Sequence, residues 1–222
     1  MQSAQTFVSH LIVKRRKSLE VITPKVYLIG GAPGAGKSTL GAALATRLGI
    51  PSLTIDDLNI AAQAITTPET HPNLHVMRKL PSLEYFINSS IEQLKADATA
   101  QHKAIWPMVE QVVRKHAKSS SPIVIDGWYM RPSWVAQLKL ENVWSGWIVA
   151  SPEVLKEREK NISWYQESAD PDQMLENFLG RSLWFNDLVR EQAIKHHLTI
   201  LFQPGDKSVD QLCNLVLEQS GG

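Results

Sequence analysis

The sequence predicts an α/β fold of three layers, in which helices pack on both faces of a central parallel sheet. Stretches with strand-like and helix-like patterns alternate along the chain, as in a series of β-α-β units. The strand-like stretches are short and almost continuously apolar, which is typical of parallel strands buried on both faces. With 222 residues, 43% of them hydrophobic, the chain can form one domain around a substantial core.

The first strand, predicted at residues 26–29, is followed by a glycine-rich loop. The loop consists of Gly31, Ala32, Pro33, Gly34, Ala35, Gly36, Lys37 and Ser38, with Thr39 next. It fits G-x-x-x-x-G-K-[ST], the Walker A phosphate-binding loop, in which Lys37 reaches the β- and γ-phosphates and the Ser38 hydroxyl binds Mg²⁺. Small residues let backbone N–H groups approach phosphate closely, and the following helix turns its positive end toward it. The loop predicts nucleotide binding, with a structural glycine turn as the alternative.

The second strand is predicted to end in two carboxylates, Asp56 and Asp57. We expect Asp57 to be the N-cap of a helix that begins at the next residue, because aspartate caps the free N–H groups of helix starts. Residues 58–118 have a mostly helical pattern, interrupted by a loop at 66–73. Pro107 either starts the last helix of this block or kinks a longer one. The block is too long for a simple crossover, so part of it is expected to cover a substrate.

Three further strands, each followed by a helix-like stretch, are predicted at 121–128, 144–150 and 198–202. The first of them ends in Asp126-Gly127, and Ser151 after the second is a typical helix N-cap. In open parallel sheets, ligands bind at the carboxyl ends of the strands. The phosphate-binding loop, Asp56 with Asp57, Asp126 and Ser151 are therefore expected to converge on one crevice.

These residues give the chain a resemblance to the small P-loop kinases. The resemblance is carried by the loop at 31–39, Asp56, Asp126-Gly127, and Arg158 on a helix after the fourth strand. The group includes nucleoside monophosphate kinases, shikimate and gluconate kinases, and 2-phosphoglycerate-kinase-like proteins. The resemblance implies a P-loop NTPase fold, with a five-stranded parallel sheet in the order 2-3-1-4-5, a helical substrate-covering insert and a lid.

The same resemblance implies a division of the chain. Residues 1–23 would form an N-terminal arm and residues 24–222 a single kinase-like domain. Within that domain, the substrate-covering segment would span about 58–118 and the lid about 158–181. Gln203-Pro204-Gly205, after the last strand, would lie near the adenine.

The resemblance also implies roles for individual residues, with ATP and Mg²⁺ as cofactors. Lys37 and Arg158 would neutralise charge on the transferred phosphoryl group, and Ser38 and Asp126 would lie on the magnesium side. Asp56 would bind the acceptor hydroxyl or take its proton. Whether Arg131 and Arg181 join the lid, or instead form ion pairs or core contacts, is left open.

The predicted function is Mg²⁺-assisted transfer of the ATP γ-phosphoryl group to a hydroxyl or phosphate of a small metabolite. A 5′-hydroxyl polynucleotide kinase is one alternative, but a net charge of +1 without a basic stripe argues against a nucleic-acid partner. Polynucleotide kinases and zeta-type toxins usually have an arginine three positions after the aspartate. Asn59 stands there, which argues against both groups. A nucleotide-binding regulatory ATPase is the other alternative.

The composition of the chain indicates its cellular compartment and excludes some classes of partner. A single cysteine, Cys213, excludes an intramolecular disulfide framework and suits a reducing compartment. No apolar stretch is long enough to cross a bilayer, and the basic residues 14–17 follow the mildly apolar N-terminal run, the reverse of a signal peptide. We therefore expect a cytoplasmic protein whose partners are ATP and a small acceptor, with no membrane partner.

The acceptor is not identified by the sequence. His71, His75, Arg78 and Lys79 would suit an anionic acceptor, or they are ordinary surface residues. The two histidines lack a third ligand nearby, so a solvated loop is favoured over a metal site. Three tryptophans are candidates either for the acceptor pocket or for core positions: Trp106, Trp128 and Trp164.

Overall fold

The computed structural model of the protein describes residues 23–78, 82–161 and 167–221. Within these ranges a five-stranded sheet forms the centre of the molecule, and its strand pairs are parallel. The strands are β1 (Val26–Gly31), β2 (Ser52–Thr54), β3 (Ile123–Asp126), β4 (Val143–Ala150) and β5 (Thr199–Gln203). Their order is β2-β3-β1-β4-β5, which confirms the predicted fold class and strand order.

Helices pack on both faces of the sheet, which gives the three predicted layers. They are α1 (Lys37–Leu48), α2 (Ile55–Ala64), α3 (Ser82–Asn88), α4 (Ile91–Lys118), α5 (Pro132–Val135), α6 (Pro152–Lys160), α7 (Pro171–Lys195) and α8 (Val209–Gln219). Short 3-10 helices at Pro72–Leu74 and Val76–Arg78 lie between α2 and α3. The core on one face of the sheet includes α1 and α8, and the core on the other includes α4 and α7.

The side chains of β1 divide between these two cores. Val26 and Leu28 pack toward α4 and α7, whereas Tyr27 and Ile29 pack toward α1 and α8. All four are buried, because β1 has a neighbouring strand on each side and a helical layer on each face. The carboxyl end of β1, where the glycine-rich loop begins, is therefore held by the best-packed part of the molecule.

The junction of β2 and α2 differs from the prediction. The helix begins at Ile55, so Asp56 and Asp57 lie in its first turn and not at the end of a strand. The prediction that Asp57 is the N-cap is wrong, because the Thr54 hydroxyl accepts the hydrogen bond from the backbone N–H of Asp56 (3.4 Å). Burial of Ile55 explains the early start, since this side chain is fully enclosed in the core. Both carboxylates still gain from the positive end of the helix.

Pro107 lies inside the long helix α4, so the alternative of one continuous helix is correct. The Ser90 hydroxyl caps the start of this helix by accepting a hydrogen bond from the backbone N–H of Gln93 (3.1 Å). A proline has no N–H group and leaves one carbonyl of the preceding turn without its usual partner. Packing of the α4 face against the sheet sustains the helix through that point, with Ile105 and Val109 fully buried.

The helical cover formed by α3 and the first half of α7 has a small core of its own. Tyr85, Phe86 and Met174 are buried there, with Phe178 packed beside them. The Asn177 side-chain amide donates hydrogen bonds to the carbonyl oxygens of Phe86 (2.7 Å) and Ser89 (3.2 Å). These bonds tie the end of α3 to α7.

Several predicted features lie outside the described residues. They are residues 1–22 of the N-terminal arm, Lys79, and residues 162–166 of the lid with Trp164. In the three described ranges, no helix has the length and apolar character needed to span a membrane.

Candidate active site

The glycine-rich loop joins the carboxyl end of β1 to the amino end of α1. Its backbone adopts left-handed conformations at Gly34 (φ 75°) and Gly36 (φ 98°), which residues with a Cβ rarely adopt. Space is also limited, since a Cβ on Gly34 would lie 2.6 Å from Oε1 of Glu159. Gly36 is the N-cap of α1, and among the described residues no side chain caps that end. The first N–H groups of the helix are therefore available to an anion.

A cleft of about 560 Å³ opens over this loop. It is lined by loop residues 33–39 and by Leu40, Arg158, Glu159, Phe178, Gln203, Lys207, Val209 and Leu212. The side-chain oxygen of Gln203, at the end of β5, accepts hydrogen bonds from the backbone N–H groups of Gly205 (2.9 Å) and Lys207 (3.3 Å). The lining of the cleft thus combines backbone N–H groups and cations with apolar side chains. This combination suits a molecule that has both phosphates and a flat base.

Lys37 extends under the loop that contains it. Its Nζ donates a hydrogen bond to the carbonyl oxygen of Ala32 (3.0 Å), and the side chain is buried. Burial lowers the pKa of Lys37, while the carboxylates of Asp56, Asp126 and Glu159 act in the opposite direction. The ammonium group is therefore held close to three carboxylates in a site with little water.

Ser38 and Asp126 meet, as the sequence predicts for the carboxyl ends of β1 and β3. The Ser38 hydroxyl donates a hydrogen bond of 2.7 Å to Oδ1 of Asp126, which is buried. Burial raises the pKa of Asp126, while the Ser38 hydrogen bond and the charge of Lys37 lower it. Hydroxyl and carboxylate oxygens are the hard donors that Mg²⁺ prefers, and Mg²⁺ commonly takes only one or two protein ligands. The pair therefore fits this ion.

Asp56 is half-buried at the start of α2 and belongs to the same electrostatic group. Its charge acts on Lys37 and Asp126, and with burial it raises the pKa of Tyr129. The Tyr129 hydroxyl also accepts a hydrogen bond from Nδ2 of Asn59 (3.2 Å), one turn after Asp56 on α2. Sequence reasoning missed Tyr129, whose position in the apolar run after Gly127 resembles a core position.

Two neighbouring residues of α6 contact the glycine-rich loop from the other side. Nη1 of Arg158 donates a hydrogen bond to the carbonyl oxygen of Gly34 (2.9 Å), although the side chain is exposed. Glu159 is fully buried beneath the loop and lines the cleft. The sequence contained a signal for Glu159, since it lies four positions after the buried Leu155, on the same face of the helix.

Arg181 lies on α7 among aromatic side chains. Its Cζ is 4.7 Å from the ring centroid of Phe86, 4.8 Å from that of Trp128 and 4.5 Å from that of Phe178. The side chain is buried, and its charge acts on Tyr129 and on His102. Arg181 thus lies on the Asp56 side of the site, beside Tyr129, and contacts a residue that also lines the cleft.

Arg131 does not line the cleft over the glycine-rich loop. Its Nη2 donates a hydrogen bond to Oγ1 of Thr99 (2.8 Å), and its Cζ lies 5.2 Å from the ring centroid of Trp134. His102 is fully buried, and burial followed by the charges of Arg131 and Arg181 holds its pKa well below the ordinary value. Burial and the two guanidinium groups thus favour the neutral imidazole.

The histidines and Trp106, which the sequence offered as further candidates for the acceptor site, have the following surroundings. His71 is exposed, but the solvated-loop prediction is wrong for His75, which is buried and has its Nε2 2.9 Å from Oγ1 of Thr66. In the described ranges no group of three or more histidine, cysteine or acidic side chains is arranged for a metal ion. Trp106 packs on Trp134, with ring centroids 5.5 Å apart.

Most of the residues expected to converge do lie together: the loop, Asp56, Asp57 and Asp126. The charges of Asp56 and Asp57 both raise the pKa of Asp126. Ser151 does not line the cleft, and its hydroxyl instead caps α6 by accepting a hydrogen bond from the backbone N–H of Val154 (3.3 Å). A serine that caps a helix has its hydroxyl directed into that helix. The crevice is therefore formed at the ends of β1, β3 and β5, together with the start of α2.

Comparison with known proteins gives a family and a set of similar folds. The family described as Zeta toxin matches residues 10–147, which is more than half of the chain. The expectation that Asn59 argues against zeta-type proteins is therefore wrong, because the match runs through this position. One departing side chain does not outweigh the agreement over the whole matched region.

Among individual proteins, a 2-phosphoglycerate kinase of Pyrococcus furiosus is 30% identical over 127 residues, which are 57% of this chain and 41% of that protein. The chain thus spans about two fifths of the length of this relative. A gluconokinase from Sinorhizobium meliloti 1021 has a similar fold, with a TM-score of 0.51 and 17% identity over 89% of this chain and 92% of the other. A shikimate kinase from Bacteroides thetaiotaomicron gives a TM-score of 0.50 and 14% identity over 87% and 97%. These likenesses confirm the small P-loop kinase fold.

Proposed function

The chain belongs to the Zeta toxin family, and from this membership and the site geometry we propose that it is an ATP-dependent small-molecule kinase. It transfers the γ-phosphoryl group of ATP to a hydroxyl or phosphate of a small metabolite. One observation carries the proposal: Asp56 shares an electrostatic site with Lys37 and with the Ser38–Asp126 pair. A protein that only binds nucleotide has no need of a further carboxylate on the acceptor side.

In this proposal, ATP occupies the cleft over the glycine-rich loop. Backbone N–H groups of residues 33–39 and the start of α1 bind its phosphates, and Lys37 reaches the β- and γ-phosphates. The base lies toward Phe178, Val209 and Leu212, near the segment that begins at Gln203. Ser38 and Asp126 would hold Mg²⁺, which would supply positive charge to the phosphate oxygens.

The acceptor lies on the other side of the γ-phosphate, against Asp56. An acceptor oxygen forms a bond to the γ-phosphorus while the bond from that phosphorus to the β,γ-bridging oxygen breaks. The proton of an acceptor hydroxyl passes to the Asp56 carboxylate, which the neighbouring Tyr129 helps to orient. Lys37 and Arg158 neutralise the charge that develops on the transferred group.

The helical segments support this chemistry by excluding water. We assign residues 24–222 to one domain, 58–118 to the acceptor cover and 158–181 to a lid that carries Arg158 and Arg181. Closure of such segments over the γ-phosphate limits wasteful hydrolysis of ATP. The free, buried Cys213 suits a cytoplasmic location.

Arg181 suggests the charge of the acceptor. It is a buried guanidinium beside Tyr129, and guanidinium groups bind carboxylates and phosphates in a bidentate manner. A small anionic metabolite is therefore the proposed acceptor class. The name of the Pyrococcus relative makes 2-phosphoglycerate the first compound to test.

The test is ADP production with ATP and Mg²⁺, alone and with 2-phosphoglycerate, gluconate, shikimate and pools of other hydroxylated or phosphorylated metabolites. We expect one acceptor to stimulate turnover, its phosphorylated product to appear by mass spectrometry, and Lys37→Ala to lower the stimulated rate more than about a hundredfold. ATP binding that depends on Lys37 without stimulation by any acceptor would contradict the proposal. It would favour a nucleotide-binding regulatory ATPase.

A further inference from the structure

A second cavity, of about 510 Å³, lies between α4, α7 and the 3-10 turn at 72–74. It is lined by Asn73, Lys95, Ala96, Thr99, Ala100, Lys103 and Trp184. None of these residues lines the cleft over the glycine-rich loop, and none belongs to the group around Asp56. The cavity is therefore separate from the nucleotide cleft.

Arg131 lies directly behind the wall of this cavity. The two residues that it contacts there, Thr99 and Trp184, are both lining residues: Nη2 donates to Oγ1 of Thr99 (2.8 Å), and Cζ lies 5.9 Å from the ring centroid of Trp184. The Arg131 side chain is 8% exposed. Its Nε is buried and has no hydrogen-bond partner within the described residues. A buried guanidinium donor without an acceptor is costly, so the Arg131 side chain would be stabilised by negative charge nearby.

The side chains that line the cavity include two cations and no acidic residue. Lys95 and Lys103 lie two turns apart on one face of α4, with Thr99 between them. Within the described parts of the chain, neither lysine nor Arg131 forms an ion pair with a carboxylate. Two lysines that line one cavity, with a third cation behind its wall, favour the binding of an anion.

Two carboxylates of these helices are engaged elsewhere, whereas Glu92, three residues before Lys95 on α4, is exposed. On α4, Asp97 accepts hydrogen bonds from the Tyr85 hydroxyl (3.0 Å) and from Nε2 of Gln93 (2.8 Å). On α7, Asp187 pairs with Arg190 (3.2 Å). These contacts direct both acidic groups away from the three cations.

We propose that this cavity binds a small phosphorylated metabolite. A phosphoryl group offers several acceptor oxygens and up to two negative charges, which matches the two ammonium groups that line the cavity and the guanidinium behind its wall. The Thr99 hydroxyl already donates to the carbonyl oxygen of Lys95 (2.8 Å), so its part is to hold Arg131 in place. The indole of Trp184 and the methyl groups of Ala96 and Ala100 form an apolar wall for the carbon skeleton of the ligand. The lining of this site shares no residue with the nucleotide cleft.

The experiment uses pyrophosphate as the probe and isothermal titration calorimetry as the measurement. Pyrophosphate is also expected to bind the glycine-rich loop, so the titration is made with wild type and with Lys37→Ala. We expect Lys37→Ala to retain one pyrophosphate site. If binding disappears entirely in Lys37→Ala, the loop accounts for it and the second site is overturned.

Variants in the Lys37→Ala background then test the residues. Lys95→Gln combined with Lys103→Gln is expected to weaken the remaining site about tenfold, and Arg131→Gln about ten- to a hundredfold. The double lysine variant keeps the test decisive if Arg131→Gln does not fold, since neither lysine is buried. Lys115→Gln, an exposed position on the same helix, serves as the matched control and should leave binding unchanged.

Two results would overturn the assignment. Unchanged binding in the double lysine variant would show that the cavity is not the site. Equal affinity for pyrophosphate and for citrate, which has carboxylates but no phosphoryl group, would show a general anion site without preference for phosphoryl groups.

Discussion

The nucleotide side and the acceptor side of the candidate site are built in different ways. On the nucleotide side, the phosphate-facing groups come from the continuous segment 31–39, and Lys37 folds back onto Ala32, five residues earlier. On the acceptor side, the contacting side chains are distant in sequence, since Asn59 and Tyr129 are 70 residues apart. The first half is therefore encoded by a local motif, and the second exists only because the sheet brings its strands together.

Ser38 and Asp126 connect the two sides across 88 residues. Asp126 is also the buried carboxylate whose pKa is raised by burial, so its charge is destabilising in the folded protein. We therefore expect the Asp126 carboxylate to be required for activity and to lower the stability of the free protein. The following experiments test how sharply the two sides differ, starting with the largest effect.

Asp126→Asn is expected to lower acceptor-dependent ATP turnover more than about a hundredfold, because a charged oxygen ligand is lost. The same change should raise Tm without nucleotide, since asparagine keeps an acceptor for Ser38 without a buried charge. A carboxyl group whose pKa is raised by folding stabilises at low pH and loses this effect as pH rises through the folded-state pKa. The difference in Tm should therefore be largest at neutral pH and shrink as the pH falls toward the ordinary pKa of aspartate. Thermal unfolding at several pH values measures it.

A lower Tm for Asp126→Asn at neutral pH would show that the charge of this carboxylate stabilises the free protein. The expectation that Asp126 serves activity at the expense of stability would then be disproved.

Gly34→Ala is expected to weaken ATP binding about tenfold or more, because a left-handed residue with a Cβ costs about 1–2 kcal/mol and the new methyl group meets Glu159. Gly49→Ala is the matched control, since Gly49 also has a positive φ (65°) but has open space around a Cβ. We expect the control to lower Tm and to leave the Kd for ATP unchanged. Equal effects of both variants on that Kd would mean that general strain, and not the loop, accounts for the loss.

Tyr129→Phe is expected to have a smaller effect, confined to the acceptor side. Loss of the hydroxyl leaves Nδ2 of Asn59 without its acceptor and should lower kcat for the acceptor-dependent reaction about three- to tenfold. The KM for ATP should not change. Tyr85→Phe, which removes a hydroxyl bonded to Asp97, is the control. A rise in the KM for ATP in Tyr129→Phe would show that the two sides are not separable.

The difference between the two sides also explains how far the sequence could predict the structure. The strands and the loop were predictable, because apolar strand runs and the Walker A spacing are local patterns. The strand order followed from the resemblance to small P-loop kinases. Tyr129 was not, because a tyrosine in an apolar run has the appearance of a core residue until the fold places it beside Asp56. Asn59 was recognised only as a departure from a pattern. Its contact with Tyr129 depends on how α2 lies against the segment that follows β3.

Two incorrect predictions have a common cause. Thr54 and Asp57 are both good N-caps, and only burial of Ile55 in the core decides between them. His75 lies in a polar stretch that resembles a loop, but packing of the 3-10 turn buries it against Thr66. In both cases tertiary packing, which no local pattern contains, selects among locally equivalent choices.

The central claim is that Asp56 acts on the acceptor. Asp56→Asn and Asp57→Asn provide the most direct test, because the two carboxylates are adjacent in the first turn of α2 and both act on Asp126. We predict that Asp56→Asn lowers acceptor-dependent ATP turnover more than about a hundredfold, the scale for loss of a positioned base, while ATP binding is retained. Asp57→Asn should stay close to wild type. Equal rates for the two variants, whether both high or both low, would contradict this role for Asp56.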